Sequence, residues 1–199
     1  MYESNTHEFN DLRLYRHAFE VFAGILVDHQ HILDVGCGPG NVAKYLVDLN
    51  PTLRITGVDF APEMIALAKE KVPSAIFETQ DMRTIKFPGD HFDAIVASFC
   101  LPFLFNDEAS VFIEKLSAML KPGGNLYLST MEGNSWGYEK TSFGGDTTFF
   151  FNYFPYSFLC DEFEKQQLSI RTEWRQEYPM AGGAPPLQDM IFILQKQDV

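Results

Sequence analysis

The stretch Leu33-Asp34-Val35-Gly36-Cys37-Gly38-Pro39-Gly40, followed later by Asp59, holds the residues of this sequence best suited to chemistry. Glycines at the end of a strand let a ligand approach the backbone closely. A carboxylate about 20 positions further on can accept hydrogen bonds from both hydroxyls of a ribose. Together they imply a nucleoside-containing cofactor. Two details constrain which one. The loop reads G-x-G-x-G, with Asn41 where G-x-G-x-x-G would place its third glycine, and Asp34 sets an anion just before the loop. That carboxylate would repel a pyrophosphate and welcome a cation.

From the glycine loop to its end, the sequence resembles the class I S-adenosylmethionine (SAM)-dependent methyltransferases of the small-molecule kind, with a domain like methyltransferase types 11 and 25. Their first motif is similar to Leu33 to Gly40. The resemblance implies SAM as cofactor and S-adenosylhomocysteine as product. It implies a cofactor site of Asp34, Gly36, Cys37, Gly38, Asp59, Phe60, Met64, Asp81, Met82, Ser98 and Phe99. Within it, Asp59 would hold the ribose, Phe60 and Met64 would flank the adenine, and Gly36 and Gly38 would line the methionyl moiety. The Asp81 carboxylate would accept the adenine amino hydrogen while the Met82 backbone N–H reaches the ring, an acceptor beside a donor. Phe92 to Phe99 resembles the fourth motif, whose end, Ser98-Phe99, would face the methyl group. Lys121 to Leu126 is similar to the family's turn into its fifth strand.

The chain departs from one branch of that family. Ser98-Phe99-Cys100-Leu101-Pro102 stands where amino-methylating enzymes of nucleic acids carry Asn/Asp-Pro-Pro-Tyr/Phe. The resemblance therefore implies a small-molecule acceptor. Two other functions are compatible with the same motifs: a SAM-binding regulator or sensor without turnover, and an NAD(P)-linked oxidoreductase.

Methyl transfer from a sulfonium is an in-line displacement, so the protein has mainly to align the acceptor and exclude water. Tyr15, Trp136 and Tyr153 are the substrate-contact candidates, and His17, Tyr138, Asp146 and Tyr153 are the titratable groups that could serve as a base. The aromatic run Phe149 to Phe158 could line a pocket or simply fill the core. Asp90-His91-x-Asp93 follows Pro88-Gly89 and reads as a solvated turn, with no metal expected.

Strands and helices must position these groups. Leu12, Tyr15, Phe19, Phe22 and Leu26 share one face of a helix running to about Val27. His31–Val35, Arg54–Asp59, Ala75–Thr79, Phe92–Ser98 and Asn125–Thr130 read as strands, with helices between them after Gly40, from Pro62 and from near Asp107. That alternation predicts a doubly wound α/β fold: a Rossmann-like seven-stranded sheet, mostly parallel with an antiparallel last strand. Residues 131 to 148 show neither period and read as a loop or lid. Ser157 to Leu168 reads as a helix, and Ile170 to Tyr178 and Met190 to Gln197 as an antiparallel closing pair. The expected organisation is one domain over residues 1–199: a capping helix (1–28), a SAM-binding core (29–130), a substrate cap (131–155), and a closing helix and strand pair (156–199).

Composition narrows the partners. A chain of 199 residues, 46% apolar, can bury a full core, and dividing by about 150 residues per domain leaves one domain. Asp and Glu number 27 against 15 Lys and Arg, a net charge of −12 that opposes binding to nucleic acids and anionic membranes. Cys37, Cys100 and Cys160 form no C-x-x-C pair, no apolar run reaches the roughly 20 residues of a membrane span, and the N-terminus lacks a secretory pattern. A cytoplasmic monomer or homodimer is expected.

Overall fold

The computed structural model describes residues 14–140, 147–178 and 186–198. Strands and helices alternate as β1 (His31–Val35), α2 (Asn41–Leu49), β2 (Arg54–Asp59), α3 (Pro62–Lys71), β3 (Ile76–Thr79), β4 (Phe92–Ser98), α4 (Asn106–Met119) and β5 (Leu120–Met131), after the N-terminal helix α1 (Arg16–Gly24). The chain then forms β6 (Trp136–Lys140), β7 (Thr148–Asn152), α5 (Tyr156–Lys165), β8 (Leu168–Tyr178) and β9 (Leu187–Lys196).

The main sheet has seven strands in the order β3-β2-β1-β4-β5-β9-β8. Neighbours from β3 to β5 are parallel, whereas β9 runs antiparallel to both β5 and β8. One strand of the seven is therefore reversed, and it is the last in the chain, as the sequence predicts. The chain order reverses between β1 and β4, so a crevice opens at their carboxyl ends, where sheets of this kind bind ligands.

Both faces of the sheet are covered because its strands alternate two apolar sets. Ile32, Ala94, Val96, Tyr127 and Ile191 pack with Phe19 and Phe22 of α1, Leu46 of α2 and Ile65 of α3. Their strand neighbours Leu33, Ile95, Ala97, Leu128 and Phe192 pack on the other face with Phe112 and Leu116 of α4 and Phe163 of α5. Burying each such side chain contributes on the order of 1.5–3 kcal/mol before entropy is counted.

Local chemistry sets the helix ends. Pro62 and Glu63 open α3 and Lys69 and Lys71 close it, matching proline's preset φ and the helix dipole. The Glu108 carboxylate accepts the Phe105 N–H at 3.0 Å where α4 begins.

Three boundaries differ from expectation. Helix α1 ends at Gly24 and not near Val27; Leu12 lies outside the described residues. Lys121 to Gly124 continues strand β5 through a register shift, with Phe92 opposite Leu120 and Ala94 opposite Asn125. The lid segment contains an antiparallel hairpin, Trp136 pairing with Asn152 and Lys140 with Thr148. Its glycines and exposed aromatics hide a period of two, because no single apolar side marks the strand.

Candidate active site

The glycine loop bends three times through the left-handed region, with φ of 65° at Gly36, 50° at Gly38 and 78° at Gly40. These turns bring β1 directly into α2 and aim the loop's backbone at the sheet edge. Packing makes Gly36 stringent, since a Cβ there would stand 2.9 Å from the Cys100 Sγ. At Gly38 a Cβ would meet nothing within 4 Å. That space is open for a ligand to approach the backbone.

Two carboxylates flank this loop. Asp59, at the end of β2, accepts the Gly38 N–H on Oδ2 and the Ala61 N–H on Oδ1, both at 2.9 Å. It ties the loop to the start of α3 and keeps further lone pairs for hydroxyl donors. Asp34 is 2% exposed, and its Oδ2 has no hydrogen-bond partner among the described residues. Burial pushes its pKa up to about 7; the nearby Asp59 charge adds to the rise, and a hydrogen bond from the Ala43 backbone N–H opposes it. A buried carboxylate with one bare oxygen is an unfavourable arrangement that a cationic donor would relieve. Cys37 and Cys100 are buried around it, and burial pushes both thiols well above their ordinary value. They are packing groups, whereas Cys160 is only partly buried.

At the end of β4, Phe99 adopts φ 52°, a conformation uncommon for a bulky residue and one that marks functional sites when its surroundings enforce it. Here the Phe99 N–H donates to the Ser129 carbonyl at 3.0 Å and lies 3.2 Å from the Ser129 hydroxyl. That hydroxyl also lies 3.2 Å from the Ser98 hydroxyl. The Phe99 ring packs against Tyr15 with centroids 5.1 Å apart, and the Tyr15 hydroxyl donates to Asp189 Oδ2 at 2.7 Å. Tyr15, Ser98 and Phe99 thus meet at one place, beside the loop.

The remaining predicted residues are more spread. Phe60 is 70% exposed after β2, and Met64 is half-buried on the first turn of α3. Met82 packs against the core, while the Asp81 carboxylate is held by Arg83 through Nε and a terminal nitrogen at 2.7–3.1 Å. That hydrogen-bonded ion pair holds Asp81 below its ordinary pKa. Tyr153 donates to Glu139 at 3.0 Å. Trp136 and Tyr138 stand exposed on the β6–β7 hairpin around Phe150. His17 is exposed with its ring edge-on to Trp174. Asp146 lies outside the described residues. In the Asp90-His91-x-Asp93 turn, Asp90 pairs with Lys196, and Asp93 holds Lys121 and the His31 N–H.

Sequence reasoning missed Asp189 and Ser129. Reading the last strand from Met190 left Asp189 in the preceding loop. Extending the period by one step places it on the face of Ile191 and Ile193, a polar residue on an apolar face.

Residues 32–124 match a family described as methyltransferase domain. Those residues, a little under half of the chain, form a methyltransferase domain. The match runs from β1 into the start of β5, so it covers the glycine loop, Asp59, Asp81 and Ser98-Phe99. The chain is 36% identical over 112 residues to a trans-aconitate 2-methyltransferase of Variovorax paradoxus, covering 56% of this chain and 42% of that protein. A trans-aconitate 2-methyltransferase of Paracidovorax citrulli is 36% identical over 120 residues, covering 59% and 45%. The chain spans less than half the length of these relatives. In three dimensions it is similar to a SAM-dependent methyltransferase of Methanosarcina mazei, with a TM-score of 0.76 and 22% identity over 89% of this chain and 97% of that one. Among the described residues no helix is long and apolar enough to cross a membrane.

Proposed function

We propose that this chain binds SAM over the Gly36–Gly40 loop and transfers its methyl group to a small-molecule acceptor, leaving S-adenosylhomocysteine. The bare, buried Oδ2 of Asp34 beneath an open glycine loop carries this assignment. A cofactor with an ammonium group and no phosphate fits that carboxylate, whereas a dinucleotide would bring its pyrophosphate toward both Asp34 and Asp59.

When bound, SAM supplies a methyl group already activated by its positive sulfur. The chain's own residues then have to bind, orient and exclude water. Asp59 accepts the ribose hydroxyls with the lone pairs left by Gly38 and Ala61, and Phe60 and Met64 cover the adenine. Asp81 and the Met82 N–H read the adenine edge, with Arg83 competing for the Asp81 carboxylate. Ser98 and Phe99, fixed by Ser129, form the floor beneath the methyl group, next to Gly36, Cys37 and Gly38. Residues 131–155, with Tyr153 and Trp136, together with Tyr15 at the head of α1, cover the acceptor. The work is done in the cytoplasm by a monomer or homodimer.

A calorimetric titration with SAM, with NADH as competing ligand, tests this. Micromolar SAM binding without NADH binding is expected. NADH binding alone would replace methyl transfer with hydride chemistry, and SAM binding with no transfer to any acceptor would make the chain a sensor.

A further inference from the structure

Asp189 is a buried acid at the sheet's carboxyl edge that the cofactor site does not use. On β9 it stands opposite Met131, two residues beyond the Ser129 that fixes Phe99, so it occupies the carboxyl edge of the sheet one strand outward from the floor of the site. It is 2% exposed. The titratable groups coupled to it are phenols: Tyr15, just before α1, donates to it at 2.7 Å, and the hydroxyls of Tyr127 on β5 and of Tyr153, which donates to Glu139, feel its charge, while Gln176 of β8 stands opposite it across the strand pair. Nearby, Arg175 is engaged by Glu132 at 2.8 Å. The acceptor side of the crevice is thus lined by aromatic rings and floored by a carboxylate whose side-chain donor among the described residues is the neutral Tyr15 hydroxyl. One phenol compensates poorly for a buried negative charge, and a cation between aromatic faces compensates well.

We propose that the acceptor is an alkyl or arylalkyl amine, entering as its ammonium ion alongside the packed Tyr15 and Phe99 rings and Tyr153, and that Asp189 takes the proton its nitrogen must lose. This rests on the SAM-dependent function proposed above. The ammonium N–H bond breaks and its proton passes to Asp189. The freed lone pair forms the new N–C bond while the methyl C–S bond breaks and sulfur keeps its electrons. The product leaves as a methylated ammonium ion, and Asp189 returns its proton to water. The nitrogen is tetrahedral, unlike the planar amino nitrogens of nucleic-acid bases, so it does without the Asn/Asp-Pro-Pro-Tyr/Phe pattern that is absent after β4. A tricarboxylate such as trans-aconitate, the acceptor of the relatives' name, would meet Asp189 and Glu139, with the nearby Arg175 already held by Glu132.

The test uses two probes of similar shape, phenethylamine and 3-phenylpropionate, titrated into the full chain saturated with S-adenosylhomocysteine. Phenethylamine should bind at least tenfold more tightly, and Asp189→Asn should weaken it at least tenfold while changing S-adenosylhomocysteine affinity less than twofold. Tyr15→Phe keeps the ring on Phe99 but removes the hydroxyl that stabilises the carboxylate. The acid limb of phenethylamine binding should therefore move to higher pH, a change that lost packing alone would not cause. Equal or tighter binding of 3-phenylpropionate, or an unmoved acid limb in Tyr15→Phe, overturns the amine assignment. Failure of the unmodified chain to bind S-adenosylhomocysteine at all overturns the cofactor assignment instead.

Discussion

Asp34 and Asp59 stand on adjacent parallel strands, with Asp34 in register with Gly57, two residues before Asp59, yet their carboxylates are satisfied in opposite ways. Asp59 accepts two backbone N–H groups, whereas Asp34 keeps a buried oxygen bare. One carboxylate organises the loop. The other carries an unfavourable energy that the proposed cofactor would relieve.

Asp34→Asn separates those roles. The folded-state pKa of Asp34, about 7, lies above its ordinary 3.8, so between these values the folded chain holds a proton that the unfolded chain has released. Stability therefore falls as pH rises through that window, and the loss is complete above it. In melts without ligand, Asp34→Asn should raise the melting temperature at pH 8 and lose the advantage near pH 4. The same change should weaken SAM binding by calorimetry. A variant less stable at pH 8 would contradict the buried-charge account.

Asp59→Ala removes the acceptor of Gly38 and Ala61 as well as the proposed ribose contact. Hydrogen bonds to a charged group contribute about 1.5–3 kcal/mol each, so SAM affinity should fall by at least tenfold, with a lower melting temperature. Unchanged SAM affinity in a folded variant would remove Asp59 from the cofactor site.

Gly36 and Gly38 should respond differently to alanine. Both take a positive φ, which costs roughly 1–2 kcal/mol for a residue with a Cβ. Only Gly36→Ala also drives a methyl into Cys100, so it should unfold at clearly lower denaturant than Gly38→Ala. Gly38→Ala points its methyl into the open space of the site and should show its larger effect in SAM binding. The reverse ranking in denaturant melts would mean that the loop repacks.

Arg83→Ala isolates the role of Asp81. The pair is partly exposed, with side chains 51% and 27% accessible, so stability should change by less than about 1 kcal/mol. With its competitor gone, Asp81 should accept the adenine amino group more readily. SAM affinity should then rise in Arg83→Ala and fall in Asp81→Asn. A fall in both would show that Arg83 is needed to hold Asp81 in place.

The parts of this protein legible in its sequence are those decided over short distances. The loop from Gly36 to Gly40, the strands β1, β2 and β4, and the antiparallel final strand all announce themselves through glycine spacing, β-branched runs and turn residues. A strand buried on both faces leaves little freedom in what it can be made of. The Asp81–Arg83 pair, two residues apart, was within reach of the same reasoning. The β6–β7 hairpin was not, because each strand gains its partner only by pairing across the intervening segment, and Trp136 and Tyr138 remain exposed where a strand's apolar side would be.

The sequence by itself determined the glycine loop between Asp34 and Asp59, and with it the expectation of a nucleoside cofactor, because a backbone turn and the strands on either side of it are local matters. Only the tertiary structure decided what stands opposite. Tyr15 and Asp189 are 174 residues apart, and their bond exists because α1 lies over the sheet and β9 inserts between β5 and β8. No local pattern encodes that meeting, since hydrophobic burial brings the two elements together and the hydrogen bond is made only after they pack.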